Sequence, residues 1–401
     1  MKLKPYLGLL ALPLAISTAY AADIPDGPTI TISGFGTAAL TRASTDDAEF
    51  ARVAQLGGVK TSAGTGVDSN FGIQATAKMN DWLSFTAQGL VRKHVTDEFG
   101  GELAWAFAKF KVTDNLNVRV GRMGLPVYMI SDYLNVGYAS TYLRPPVEMY
   151  SQVNLENVDG VDAIYQSSFG ESTLTTQVAA GQSETKGNGN SYTAKFKSIA
   201  GLNMVLENGP FTVRFGHIYT KFSVDDSPSL NAVVGGLNQF GFTSQANSLK
   251  LHDNKATFTS LGLTVDWKNI LVQTEYGKRK SESVSLPDTS SWYTMFGYRF
   301  GKFTPYFTHG SVKQDSPRTV AGLPTTGPLA GLTAGANALA SLAPIQTSNS
   351  IGIRWDFNKS ADLKIQFDRL SPENGAGTFV NAKPTFQGPV NVVAAAIDFV
   401  F

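Results

Sequence analysis

Apolar and polar residues alternate with period two through most of this chain, in stretches of unusual length. Phe71, Ile73, Ala75, Ala77 and Met79 alternate with Asn70, Gly72, Gln74, Thr76 and Lys78. Ile351, Ile353, Trp355 and Phe357 alternate with Ser350, Gly352, Arg354 and Asp356, and Leu363, Ile365 and Phe367 with Lys364, Gln366 and Asp368. Similar stripes cover 29–41, 211–221, 257–267 and 270–279. Successive side chains of a strand point to opposite faces, so each run reads as a strand with one apolar and one polar face. The runs reach about ten residues, against about five or six for a globular strand, and ten is the length that crosses a tilted path through a bilayer.

The connections are sorted. Short turns fall at 80–81, 113–115, 168–171, 208–209, 268–269, 301–302 and 358–360. Longer polar or Gly-rich stretches lie between them at 43–69, 93–101, 123–157, 182–197, 222–256, 280–290, 314–347 and 371–388. Seven short and eight long connections join sixteen strands and leave both chain ends on one side. Trp82, Phe110, Phe211, Trp267, Phe300, Phe303 and Phe357 crowd the short-turn ends, where an interfacial aromatic girdle belongs. Strands can span lipid only as a closed barrel, because an open edge leaves amides without partners. The expected fold is therefore all-β, a 16-stranded antiparallel transmembrane β-barrel. A soluble sandwich or propeller has shorter strands and does not place one whole polar face between packed sheets. A plugged barrel of about 22 strands needs more chain than this.

Composition narrows the function. Charged residues are 16% of the chain and the formal net charge is +1, so no basic field exists to gather nucleic acid. With no Cys there are no disulfides, thiol nucleophiles or Cys-ligated metals. His94, His217, His252 and His309 do not share metal-ligand spacing on one element, so neither a metal nor a cofactor is expected. Met1 to Ala21 reads as a secretory signal peptide: Lys2 and Lys4, an apolar run from Leu7 to Ile16, then Ala19-Tyr20-Ala21. The barrel is then residues 22–401. Gly34-Phe35-Gly36-Thr37-Ala38-Ala39 imitates a dinucleotide turn but continues as a strand without the required helix. His309-Gly310-Ser311 places a base and a nucleophile two apart, as in a lipolytic enzyme embedded in a membrane, but no third group is evident to orient the base. The lipolytic reading is the rival from another class, and a structural or adhesive barrel with a plugged lumen is a third.

Two motifs carry a family resemblance. The last strand, Pro389 to Phe401, ends with Ile397, Phe399 and Phe401 alternating and a terminal Phe. It resembles the insertion signal that Gram-negative barrels present to the barrel-assembly machinery. Val120-Gly121-Arg122-Met123-Gly124-Leu125-Pro126 ends a strand and opens the third long connection. It is similar to the start of the constriction loop of Gram-negative general diffusion porins, although the loop core Ser131 to Tyr138 lacks the Pro-Glu-Phe-Gly-type sequence of enteric members. The resemblance implies an outer-membrane channel, exported through the periplasm and surrounded by lipid and lipopolysaccharide. It further implies a homotrimer, an inward-folded third loop over 123–157 and passive diffusion of small hydrophilic solutes and ions. A substrate-preferring channel is the alternative within the class.

Such a pore is governed by its narrowest section and the charges there. The loop supplies Asp132, Glu148 and Glu156, with Arg144 as internal counter-charge, and the opposite wall is expected to present Arg119, Arg214, Arg354 and Lys364. An acidic loop facing a basic wall makes a transverse field that disfavours apolar solutes. Lys78, Arg92, Arg279 and Arg299 add lumen-side cations, against Asp162, Glu275, Asp356, Asp368 and Asp398, so ion selectivity is expected to be modest and of either sign. Arg144-Pro145-Pro146 reads as a stiff turn. For the small-residue segment 321–343, entry into the lumen or a subunit contact and a plain surface loop stay open.

Overall fold

The computed structural model describes residues 27–401; the expected signal segment lies outside the described residues. Sixteen antiparallel strands pair in chain order and close: β1 Thr29–Ala43, β2 Asn70–Lys78, β3 Leu83–Lys93, β4 Phe99–Lys111, β5 Leu116–Gly124, β6 Asn157–Phe169, β7 Ser172–Lys186, β8 Thr193–Asn208, β9 Phe211–Ser223, β10 Asn254–Trp267, β11 Ile270–Ser281, β12 Thr289–Tyr298, β13 Phe303–Gln314, β14 Gln346–Asn358, β15 Ala361–Pro372 and β16 Val390–Val400. The seam between β1 and β16 runs from Phe35 opposite Val400 to Ala43 opposite Val392, so every strand has two neighbours. This is the expected closed barrel of sixteen strands.

Alternation maps onto the two faces. Phe71, Ile73, Ile351, Ile353, Trp355, Ile365, Phe367, Val393 and Ile397 are exposed, while the alternate Gln74, Ser350, Lys364, Gln366, Asp368, Ala394 and Asp398 are buried. An apolar belt of this extent on the outside is stable in lipid and far beyond the patch a soluble monomer exposes. Trp82 stacks on Phe110, and Phe303 stacks on Trp355 beside Phe357, at the short-turn end.

The short turns form because their residues satisfy the free amides locally. Asn80 Oδ1 accepts from the N–H groups of Trp82 and Leu83, and Thr113 Oγ1 accepts from those of Asn115 and Leu116. The expected long connections are shorter than their sequence suggested, in proportion most of all 94–98, 187–192 and 282–288. Their flanking strands extend past the apolar belt, where polar residues still pair; ladder hydrogen bonds do not need an apolar face. The connections 224–253 and 315–345 carry helices α2 Pro228–Gln239, α3 Thr243–Leu249 and α4 Ala330–Ala340. Leu230, Val234, Leu237, Leu249 and Ala336 bury together between them, which is where the small-residue segment goes. A stripe of Ala and Leu has found a helical partner there.

Candidate functional site

The third long connection, 125–156, leaves β5 through Leu125-Pro126 and contains only short helical pieces. These are 3-10 turns at Ser131–Tyr133 and Gly137–Ala139 and helix α1, Val147–Tyr150. Pro145 and Pro146 set extended backbone before α1, since proline disfavours helix at the residue before it. The segment buries an apolar core of its own: Leu125, Val127, Tyr128, Ile130, Tyr142, Met149 and Tyr150 cluster with Phe258, Tyr293, Met295 and Tyr306 of β10, β12 and β13.

Its hydrogen bonds reach the buried alternate set of the strands. Ser260 Oγ donates to Val127 O at 3.2 Å, and Met129 N–H and Tyr150 O–H donate to the two oxygens of Glu275 at 2.8 and 2.9 Å. Lys364 Nζ donates to Gly137 O at 2.6 Å, and Arg354 donates to Tyr138 O and Ser140 O at 2.7 Å each. Leu143 N–H donates to Gln366 Oε1 at 3.0 Å. Gly137 must be glycine, because a Cβ there would run into the carboxylate of Asp398. Arg144 is fully enclosed; it donates to both oxygens of Asp68 at 2.9 and 2.7 Å and also pairs with Asp368. The stiff turn at Arg144-Pro145-Pro146 is thus also an ionic clamp.

The seven expected constriction residues are distributed over several separate contacts. Lys364 is wholly buried between Asp398 and Asp362, and Arg354 pairs with Asp356 and Asp362, so both cations serve as tethers for the segment. Arg214 is buried and donates from Nε to Asn203. Glu148 is also fully buried, with Oε1 accepting from Gln346 at 2.7 Å and Oε2 unpartnered; burial raises its pKa above the ordinary carboxyl value. Arg119 pairs with Asp162 across β5 and β6, over the ring of Phe107, with Asp132 close enough to act on it electrostatically. Glu156 grips Arg92 bidentately at 3.0 and 2.8 Å; burial alone would raise its pKa, but the charge and hydrogen bonds of that guanidinium outweigh burial and hold it below the usual value.

Cavities lie on the β2–β7 side. One, about 260 Å³, is lined by Gln88, Arg92, Trp105, Asp132 and Glu156 among others. A second, about 230 Å³, is bounded by residues of the connections 44–69 and 373–389 and shares Val53, Arg92, Leu134, Tyr150 and Glu156 with the first. Asp132 and Glu156 are the two expected residues that line them. In the sequence Arg52 and His94 carry no signal of a constriction role, and Arg92 reads only as a general lumen cation. Arg52 and His94 lie in connections, where no periodicity assigns a face.

A sequence model of Gram-negative porins matches residues 8–316. The chain belongs to that family. This porin is therefore an outer-membrane channel protein built as a β-barrel, the resemblance read from Val120–Pro126 and the last strand. Similar solved structures include OmpF of Salmonella typhi in complex with daunomycin, at 14% identity and TM-score 0.58, covering 94% of this chain and 99% of that one. The outer membrane channel DcaP of Acinetobacter baumannii gives 11% and 0.56, covering 95% and 99%. OmpT of Vibrio cholerae, folded in vitro and in a trimer form, gives 12% and 0.52, covering 93% and 99%. At such identities the likeness concerns the fold. Among curated proteins, none matches this porin.

For the rival hydrolase, His309 Nδ1 lies 2.9 Å from Asn349 Oδ1, so a third group does orient the ring. Among the described residues no hydrogen bond joins Ser311 to His309. The nucleophile is not engaged by its base.

Proposed function

We propose that the segment 125–156 folds into the bore of this porin and narrows it, leaving a passage along the β2–β7 wall for passive diffusion of small hydrophilic solutes and ions. The observation that carries this is the set of its partners. Ser260, Glu275, Gln346, Lys364, Gln366 and Asp368 all belong to the buried alternate face of the strands, opposite the exposed apolar belt. A segment bonded to that face on β10, β11, β14 and β15 stands inside the wall. The constriction is then the strip between Asp132, Asn135 and Glu156 on the segment and Arg92 and Arg119 on the wall. Arg354, Lys364, Arg214 and Glu148 hold the segment in place. Catalysis has no part in this function.

The assembly is proposed as a homotrimer in the outer membrane, reached through the periplasm after removal of residues 1–21. Arg122 and Asp159 pair at 2.7 Å on the same outward face as Val120 and Val161. A charged pair is costly against lipid, so this face suits contact with another subunit.

Recording from the purified mature protein in a planar bilayer tests the proposal. Discrete steps, in threes for a trimer, are expected, with a reversal potential in a salt gradient that shifts when Glu156 or Arg119 is neutralised. Silence from demonstrably folded protein overturns the open-channel reading.

A further inference from the structure

The cavity of about 230 Å³ has four charged groups in its wall: Arg52, Arg92, Lys93 and Glu156. Arg92 is held by Glu156 and Glu102, and Lys93 by Asp97 at 2.9 Å. Arg52 stands apart. Among the described residues its guanidinium makes no hydrogen bond or ion pair, and the acids that act on it from a distance, Asp68 and Glu156, are already gripped bidentately by Arg144 and Arg92. Arg52 is half-buried, and desolvation pulls its pKa down against the opposite pull of Asp68 and Glu156. In the same wall Asn70 is 9% exposed, and its Oδ1 has no hydrogen-bond partner. A guanidinium without an anion and a buried acceptor without a donor therefore share one cavity.

We propose that this cavity binds a small organic carboxylate, its carboxylate paired with Arg52 and a neighbouring hydroxyl donating to Asn70 Oδ1. Guanidinium and carboxylate match as a two-pronged pair, which an ammonium does not reproduce. Val53, Leu134 and Tyr150 supply apolar wall for the rest of the ligand. The two cavities share lining, so a solute held here waits at the entrance to the strip between Asp132 and Arg119. The site rests on the channel reading for its role in uptake, but its binding does not require conduction.

Mandelate, an aromatic carboxylate with an adjacent hydroxyl, is a suitable probe, titrated calorimetrically into the full mature protein folded in detergent. Saturable binding is expected. Mandelamide, which lacks the charge, binds at least about tenfold more weakly, and phenylacetate, which lacks the hydroxyl, about fivefold more weakly. Arg52→Gln weakens mandelate about tenfold, and Arg52→Lys restores part of it. No saturable mandelate binding, equal binding of mandelate and mandelamide, or an unchanged Arg52→Gln variant would overturn the site; phenylacetate matching mandelate would remove Asn70 from it. Should Arg52→Gln misfold, the comparison of acid and amide on the unmodified protein decides. Conductance of the same preparation is read separately. Protein that conducts but ignores mandelate overturns the site alone, and protein that binds it but stays silent overturns the channel alone.

Discussion

The ring of Phe401 occupies the space that a side chain at Gly34 would need, while the two backbones exchange hydrogen bonds of 2.9 and 3.0 Å. Phe399 lies over Gly36 in the same way, and Phe401 also stacks on Phe71 of β2. The last residue of the chain thus covers the seam that closes the barrel. Gly34→Val should displace the ring and destabilise the barrel by about 1–3 kcal/mol, the usual range for forced overpacking. Denaturant unfolding from lipid vesicles measures it, and a midpoint equal to the parent's would show that the ring is not needed at the seam.

Arg144 clamps the third connection to Asp68 before β2 and to Asp368 on β15. Arg144→Leu leaves two buried carboxylates facing a void, a loss of about 3–5 kcal/mol for breaking a buried pair from one side. The segment should then loosen, seen as faster proteolysis within 125–156 and noisier single-channel current. Arg144→Lys should recover little, because an ammonium cannot match the fork that holds Asp68. Quiet traces from Arg144→Leu would place the rigidity of the segment elsewhere.

Glu148 sits in α1 with its pKa raised by burial, despite the hydrogen bond from Gln346. A carboxyl with a raised folded-state pKa binds its proton more tightly folded than unfolded. Its stabilising contribution is full below the unfolded value and is lost as pH rises through the folded one. Glu148→Gln, neutral at all pH, should therefore gain on the parent in thermal stability as pH moves from 4 to 8. Parallel melting profiles over that range would contradict this.

Arg92 is shared between Glu156, Glu102 and Asn135, in the strip proposed as the constriction. Glu156→Gln removes one negative charge and frees part of the guanidinium, which should shift the reversal potential in a KCl gradient toward anions. The effect should shrink as salt rises, since the Debye length falls from about 10 Å at 0.1 M to about 3 Å at 1 M. A shift toward cations, or none at low salt, would move the strip away from Glu156.

Ser311 is within two residues of an oriented histidine yet is not hydrogen-bonded to it. A fluorophosphonate probe should leave the folded porin unlabelled. Labelling that disappears in Ser311→Ala would establish a hydrolase on the outer wall in addition to the channel.

Strand number, the order of short and long connections and the inward or outward sense of the residues in the striped runs were legible because they depend on local spacing. Period two fixes a face, about ten residues fixes a crossing, and Asn80 or Thr113 can close its turn with its own side chain. The candidate site was legible only in part. That Lys364, Arg354 and Asp398 point inward follows from their registers, but the ion pairs they form and the loop carbonyls that Lys364 and Arg354 hold do not. Angular position around a barrel is set by closure and by where an irregular segment packs, and neither leaves a period in the sequence.

The sequence by itself determined a closed barrel with an apolar exterior, because no other arrangement satisfies sixteen amphipathic strands and their backbone amides in lipid. Tertiary structure alone decided which charges are tethers and which face open space. The segment 125–156 lies against β10–β16 because its apolar residues find Phe258, Tyr293, Met295 and Tyr306 there, and Arg144 finds Asp68 and Asp368. Packing on that side consumes the charges of Lys364, Arg354 and Glu148 in buried contacts. It leaves the other side to Arg92, Asp132, Glu156 and Arg52, whose guanidinium has no ion-pair partner among the described residues.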